Sequence, residues 1–101
     1  MTEAEAKASG KKAWIAKRPM NQVKRAVIKG ESQGFMKMII DRETNLILGA
    51  AVLGVGGDEI IHSILDVMYA KAPYTTILNA VHIHPTVSEL IPTMLSELKP
   101  L

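Results

Sequence analysis

The 101 residues contain no cysteine. That excludes disulfide staples, thiolate metal sites and any thiol mechanism carried by this chain's own side chains. It leaves the redox compartment open. Long apolar stretches are also missing. The longest nearly apolar run, from Leu46 to Gly57, falls well short of the roughly 20 residues a membrane helix needs. The opening MTEAEAKASG lacks the apolar segment of a secretory signal. These absences predict a soluble, cytoplasmic chain without a membrane partner. Aromatic residues make up only 4%. No carboxylate stands between Lys11 and Lys29, where seven cations do. Nucleic-acid binding is one reading of that stretch. A solvated, lysine-edged surface is the favoured one, since only Trp14 offers a stacking ring there.

What is present fits one domain with one core, roughly two-thirds of the unfolded surface being buried at this size. Residues 1–50 carry ten basic and five acidic groups, and residues 51–101 two and five. Thr2 and Glu5 have capping-box spacing, which predicts a helix over residues 3–9 stopped by Gly10. Lys12 to Lys17 alternates and is closed by Pro19, as in a short strand near an edge. Residues 20–29 carry a weaker pattern, read as strand toward its end. Two apolar runs flanking Asp41-Arg42-Glu43-Thr44-Asn45 predict an antiparallel hairpin. Its second strand is apolar on both faces, so a central, covered position is expected.

From Asp58 the period becomes helical, with Ile60, Ile61, Ile64, Leu65 and Met68 on one stripe, Lys71 in the last turn and Pro73 as terminator. A short helical piece is expected over residues 75–79. A last helix follows Pro85, its stripe being Leu90, Ile91, Met94, Leu95 and Leu98. Pro92 inside it predicts a kink or a late start. The fold class is therefore α+β, an antiparallel sheet with helices packed on one face.

Four patterns are candidates for chemistry. Gly54-Val55-Gly56-Gly57 sits where a phosphate loop would. Glu59 stands where the dinucleotide fingerprint needs glycine, no Gly-Lys-Ser/Thr follows, and the carboxylates at the helix start repel phosphate. A tight strand-to-helix turn is favoured. The six methionines, Met36 and Met38 among them, read as core filling rather than an adaptable binding surface. His82 and His84, with His62 as a third, have no completing ligand at an obvious spacing, so no metal site is expected. Thr86 and Glu89 form a second capping box. Equally, Glu89 one turn into the helix after His84 is placed to orient an acid/base imidazole. Spacing leaves these two readings open.

HIHPTVSE, with the upstream GFMKMIIDRETNLILGAAVLG and the DEIIHSI helix, closely resembles the C-terminal dimerisation domain of the FAD-dependent pyridine nucleotide–disulfide oxidoreductases. That family includes glutathione reductase, dihydrolipoamide dehydrogenase and mercuric reductase. TEAEAKASG is similar to the helix that follows the domain's first strand, so the resemblance spans nearly the whole chain in the family's order. It implies a homodimer in which His84 reaches the partner's active site beside flavin and redox disulfide. Glu89 would orient His84, and a cis bond from His84 to Pro85 would lay backbone beside the partner's flavin. It also implies an apolar contact surface on the last helices, with Ile91, Met94 and Leu95 near the dimer contact.

Three departures from the family shape the expectation. The FAD domain, the NAD(P) domain and the CxxxxC motif are missing, so FAD and NAD(P) belong to a parent enzyme and no cofactor is expected on the isolated chain. The usual first strand is missing as well. Mercuric reductases proper end in a cysteine pair and lack this histidine, which moves the chain toward the dithiol-reductase branch. The sequence thus reads as a dimerisation-domain fragment of an FAD-dependent NAD(P)H:disulfide oxidoreductase. The alternatives are a standalone interaction module with HPT as a structural turn, and a weak nucleic-acid binder using the stretch from Lys11 to Lys29.

Overall fold

The computed structural model describes residues 1–19, 34–54, 56–80, 86, 88 and 90–101. Helix α1, Glu3–Ala8, starts where the capping box placed it: Thr2 Oγ1 accepts the Glu5 N–H at 3.1 Å. Strands β1 (Ala13–Pro19), β2 (Phe35–Asp41) and β3 (Ile47–Leu53) follow, and then helices α2 (Gly57–Tyr69), α3 (Thr75–Leu78) and α4 (Leu90–Leu95). A two-residue strand, β4 (Lys99–Pro100), ends the order. The sheet runs β3-β2-β1-β4 and is antiparallel throughout.

Alternation along β2 sorts its side chains between two cores. Met36, Met38 and Ile40 join Ala16 of β1 against Ile60 and Ile64 of α2, Ile77 of α3, and Ile91, Met94 and Leu95 of α4. Each such fully buried Ile, Met or Leu contributes about 1.5–3 kcal/mol, so this face holds most of the apolar stabilisation. Ile39 points the other way and meets Ala13 and Ala6 in a smaller cluster under α1. The expectation of helices on one face therefore holds for α2 to α4, while α1 covers part of the opposite face. The methionine reading holds for Met36, Met38 and Met94, all buried.

The hairpin forms as predicted, with one irregularity and one correction. Pairing partners jump from Gly49 at Ile39 to Ile47 at Ile40, so Leu48 is an extra residue in a bulge. The bulge lets Ile47, Ala50 and Val52 share the large core although their spacing is uneven. The inner strands are β2 and β1, and β3 is an edge of the described sheet. β3 is nevertheless apolar on both sides because α2 packs on one and the chain start covers the other. The Met1 ammonium donates to the Leu48 carbonyl at 2.7 Å, and a β-carbon at Gly49 would collide with the Met1 carbonyl. β1 has β2 on one side and only β4 on the other, close to the edge position expected of it.

Helix α2 ends at Tyr69 rather than at Lys71. Lys71 adopts a left-handed turn (φ 52°), and its N–H and that of Ala72 satisfy carbonyls of Met68 and Val67. The connection to α3 is tied to the hairpin by the Tyr74 N–H donating to the Asn45 carbonyl at 2.8 Å. Helix α4 starts at Leu90, so Pro92 lies in the first turn, where its missing N–H breaks no bond. That is the late start the proline predicts. The strand reading over residues 20–29 lies outside the described residues.

Candidate functional site

The segment between α3 and α4 carries the motif. His82, His84, Pro85 and Glu89 lie outside the described residues, as does the bond between His84 and Pro85. What the structure gives is the frame on either side. Upstream, Ile77 of α3 is buried, and the Asn79 and Ala80 N–H groups close the helix onto the carbonyls of Thr75 and Ile77. Downstream, the Ile91 N–H donates to the Ser88 carbonyl at 3.1 Å and leads the chain into α4. Thr86 and Ser88 are half-buried. Both flanks are anchored in the same large core.

Helix α4 is further braced from its far end. Arg18 Nη1 of β1 donates to Glu97 Oε1 at 2.9 Å, and β4 then pairs with Trp14 and Ile15. No sequence pattern marks the pair of Arg18 and Glu97, because 79 positions separate them. Only the antiparallel return of the chain to β1 brings them together.

Ile91, Met94 and Leu95 are 0%, 1% and 2% exposed, buried in this chain's own core. They pack with Ile77, Met36, Met38 and Ile40 among the described residues. The described large apolar side chains that do face solvent are Met1, Leu53 and Tyr69, none of them on α4.

The glycine turn before α2 is filled by its own hydrogen bonds. Gly56 is the left-handed N-cap (φ 71°), and its carbonyl accepts the Glu59 and Ile60 N–H groups at 3.1 and 2.9 Å. The Gly57 N–H goes to Gly54, and Asp58 Oδ1 takes a further bond from the Glu59 N–H. With Asp58 and Glu59 both in the first turn, the described part of this loop does not fit a pyrophosphate. His62 is exposed on α2, and no described group of three or more His, Asp or Glu side chains is placed to hold a metal. No described helix is long and apolar enough to cross a membrane.

Two carboxylates have altered acidity, and both are structural. Asp41 Oδ1 accepts the Glu43 N–H at 2.9 Å and the Thr44 N–H at 3.4 Å, while Oδ2 takes the Lys11 ammonium at 3.5 Å. The Glu43 bond leads in holding its carboxyl below the ordinary range, against the opposing effect of burial. Glu3 is lowered chiefly by the hydrogen bond from Lys37, 2.9 Å long, across α1 and β2.

An open four-stranded antiparallel sheet backed by α2 to α4, with the motif held between two core-anchored helices, is the architecture of a reductase dimerisation domain. Residues 1–95 match the pyridine nucleotide-disulphide oxidoreductase dimerisation domain, and the chain belongs to that family. It is 32% identical over 99 residues to the probable pyridine nucleotide-disulfide oxidoreductase RclA of Escherichia coli, covering 98% of this chain and 22% of that protein. It is 36% identical over 91 residues to dihydrolipoyl dehydrogenase of Bacillus subtilis, covering 90% and 19%. The solved structure of the HOCl-induced flavoprotein disulfide reductase RclA superposes with a TM-score of 0.94, at 32% identity, over 98% of this chain and 23% of that one. LpdA of Mycobacterium tuberculosis shares the fold, with a TM-score of 0.86 at 19% identity over 95% of this chain and 21% of that one. The chain spans about a fifth of the length of these relatives.

Proposed function

We propose that this chain is the dimerisation domain of an FAD-dependent NAD(P)H:disulfide oxidoreductase, and that it brings His84, oriented by Glu89, to the active site of the partner subunit in a homodimer. The observation that carries the reading is the family match over residues 1–95, which takes in the whole HIHPTVSE motif. In this reading the FAD and NAD(P) domains belong to the rest of a parent comparable in length to the relatives. The glycine turn before α2 does not fit a pyrophosphate, and no step is routed through flavin on this chain.

The chemistry left to this chain is proton transfer. An ordinary imidazole titrates near ~6.5 and so can accept and return a proton around neutral pH. The Glu89 carboxylate accepts the N–H of one ring nitrogen and stabilises the imidazolium as it forms. The other ring nitrogen takes the S–H proton of an attacking thiol. The new thiolate attacks a disulfide sulfur, the S–S bond breaks, and the proton goes to the departing sulfur. Pro85 sets the backbone that aims the ring, and His82 has no part in the transfer.

The test is a chimera in which this chain replaces the corresponding domain of Escherichia coli RclA. His84→Ala should slow disulfide reduction by ~10²–10⁴ with bound flavin and dimer mass unchanged, as loss of general acid–base assistance predicts. Glu89→Ala should slow it less. A chimera that is dimeric and active, and equally active with His84→Ala, would contradict the proposal. So would one that loses turnover with His82→Ala instead.

A further inference from the structure

A cleft opens at the end of the sheet where α1 turns into β1 and β2 turns into β3. Its volume is about 340 Å³, within the range of small-ligand sites. Three separate pieces of chain bring basic residues to its lining: Lys7 from the last turn of α1, Lys11 and Lys12 from the connection to β1, and Arg42 from the hairpin. Pro100 and Leu101 close the remaining side. No described acidic side chain lines it.

The local bonding leaves most of this charge free. Asp41 pairs with Lys11 at 3.5 Å and is already occupied by the Glu43 and Thr44 N–H groups. The ammonium groups of Lys7 and Lys12 and the guanidinium of Arg42 form no hydrogen bond or ion pair among the described residues, and the carboxylate of Leu101 pairs with none of the four. Arg42 is not free to wander. Its guanidinium carbon lies 5.5 Å from the centre of the Trp14 ring, a cation–π contact that holds the planar fork while leaving its N–H donors unspent. The walls are fixed by the Arg42 N–H donating to the Lys12 carbonyl at 2.9 Å and the Leu101 N–H to the Ala13 carbonyl at 3.0 Å.

We propose that this cleft binds a small oligophosphate, with Arg42 forking onto one phosphate group and Lys7, Lys11 and Lys12 neutralising its neighbours. A guanidinium fork matches phosphate oxygens two at a time, and ammonium groups add point charges around it. Cations converging on one small cleft suit a compact polyanion. An extended nucleic-acid backbone would need them strung out along a surface. The site is independent of the redox reading.

Calorimetric titration of the 101-residue chain with sodium tripolyphosphate at low salt tests it. One-to-one binding is expected, weakened about fivefold or more by Lys12→Gln and by Arg42→Lys, which keeps the charge but loses the fork. Lys17→Gln removes the same charge from the far end of β1 and should change affinity less than about twofold. ATP binding with equal affinity assigns recognition to the phosphate chain alone, and ATP binding at least tenfold tighter assigns a nucleotide. No binding at millimolar tripolyphosphate overturns the proposal. So does equal weakening by Lys12→Gln and Lys17→Gln, or displacement by DNA oligomers with an affinity that climbs with their length.

Discussion

Asp41 shows how much one side chain can settle. It is 4% exposed, ends β2, caps the hairpin turn with two accepted N–H bonds and receives Lys11 from the connection before β1. Removing it leaves those donors short of a partner, so Asp41→Ala should cost about 1–3 kcal/mol in urea unfolding. Its folded acidity lies below the ordinary 3.8. A carboxylate so depressed stabilises the fold fully above that ordinary value, and the contribution disappears as pH falls through the folded value. The gap between wild type and Asp41→Ala should therefore be constant near neutral pH and close below 3.8. The sequence marked Asp41 only as a turn former. Its bond to Lys11 depends on α1 delivering the chain to that corner, which no local pattern records. The motif residues are the reverse case. His84 and Glu89 stood out by resemblance, whereas spacing read equally well as a helix cap.

Among the elements, what was legible followed from periodicity and what was not followed from destination. The hairpin, α1 and α2 were readable because alternation, capping and a stripe of isoleucines are local. Two-residue β4 was invisible, being too short to have a period. β3 misled because an apolar strand looks central whether its second face is covered by another sheet element or, as here, by Met1 and α1. The stripe of α4 is less specific, because a helix buried in its own core and one buried against a partner carry the same residues. The distinction is measurable. Ile91, wholly buried against β1 and the other helices, should lose about 2–5 kcal/mol of folding stability on Ile91→Ala. An interface residue would instead change the concentration at which subunits separate and leave the folding of one chain intact. Urea unfolding at several protein concentrations separates the two, and a concentration-independent loss is expected.

At the scale of the molecule, α2 to α4 give one face of the sheet a closed apolar core, while the other carries α1 and the salt bridge from Lys37 to Glu3. The two faces explain how a chain a fifth the length of its relatives sustains a core of its own. The last helices spend their apolar stripe inward, on the core of this chain. The central claim, that this chain is a dimerisation domain, is tested most directly by sedimentation equilibrium of the 101-residue protein at micromolar concentration. The account predicts a species of twice the 11.0 kDa of one chain; a single 11.0 kDa species across that range would contradict it.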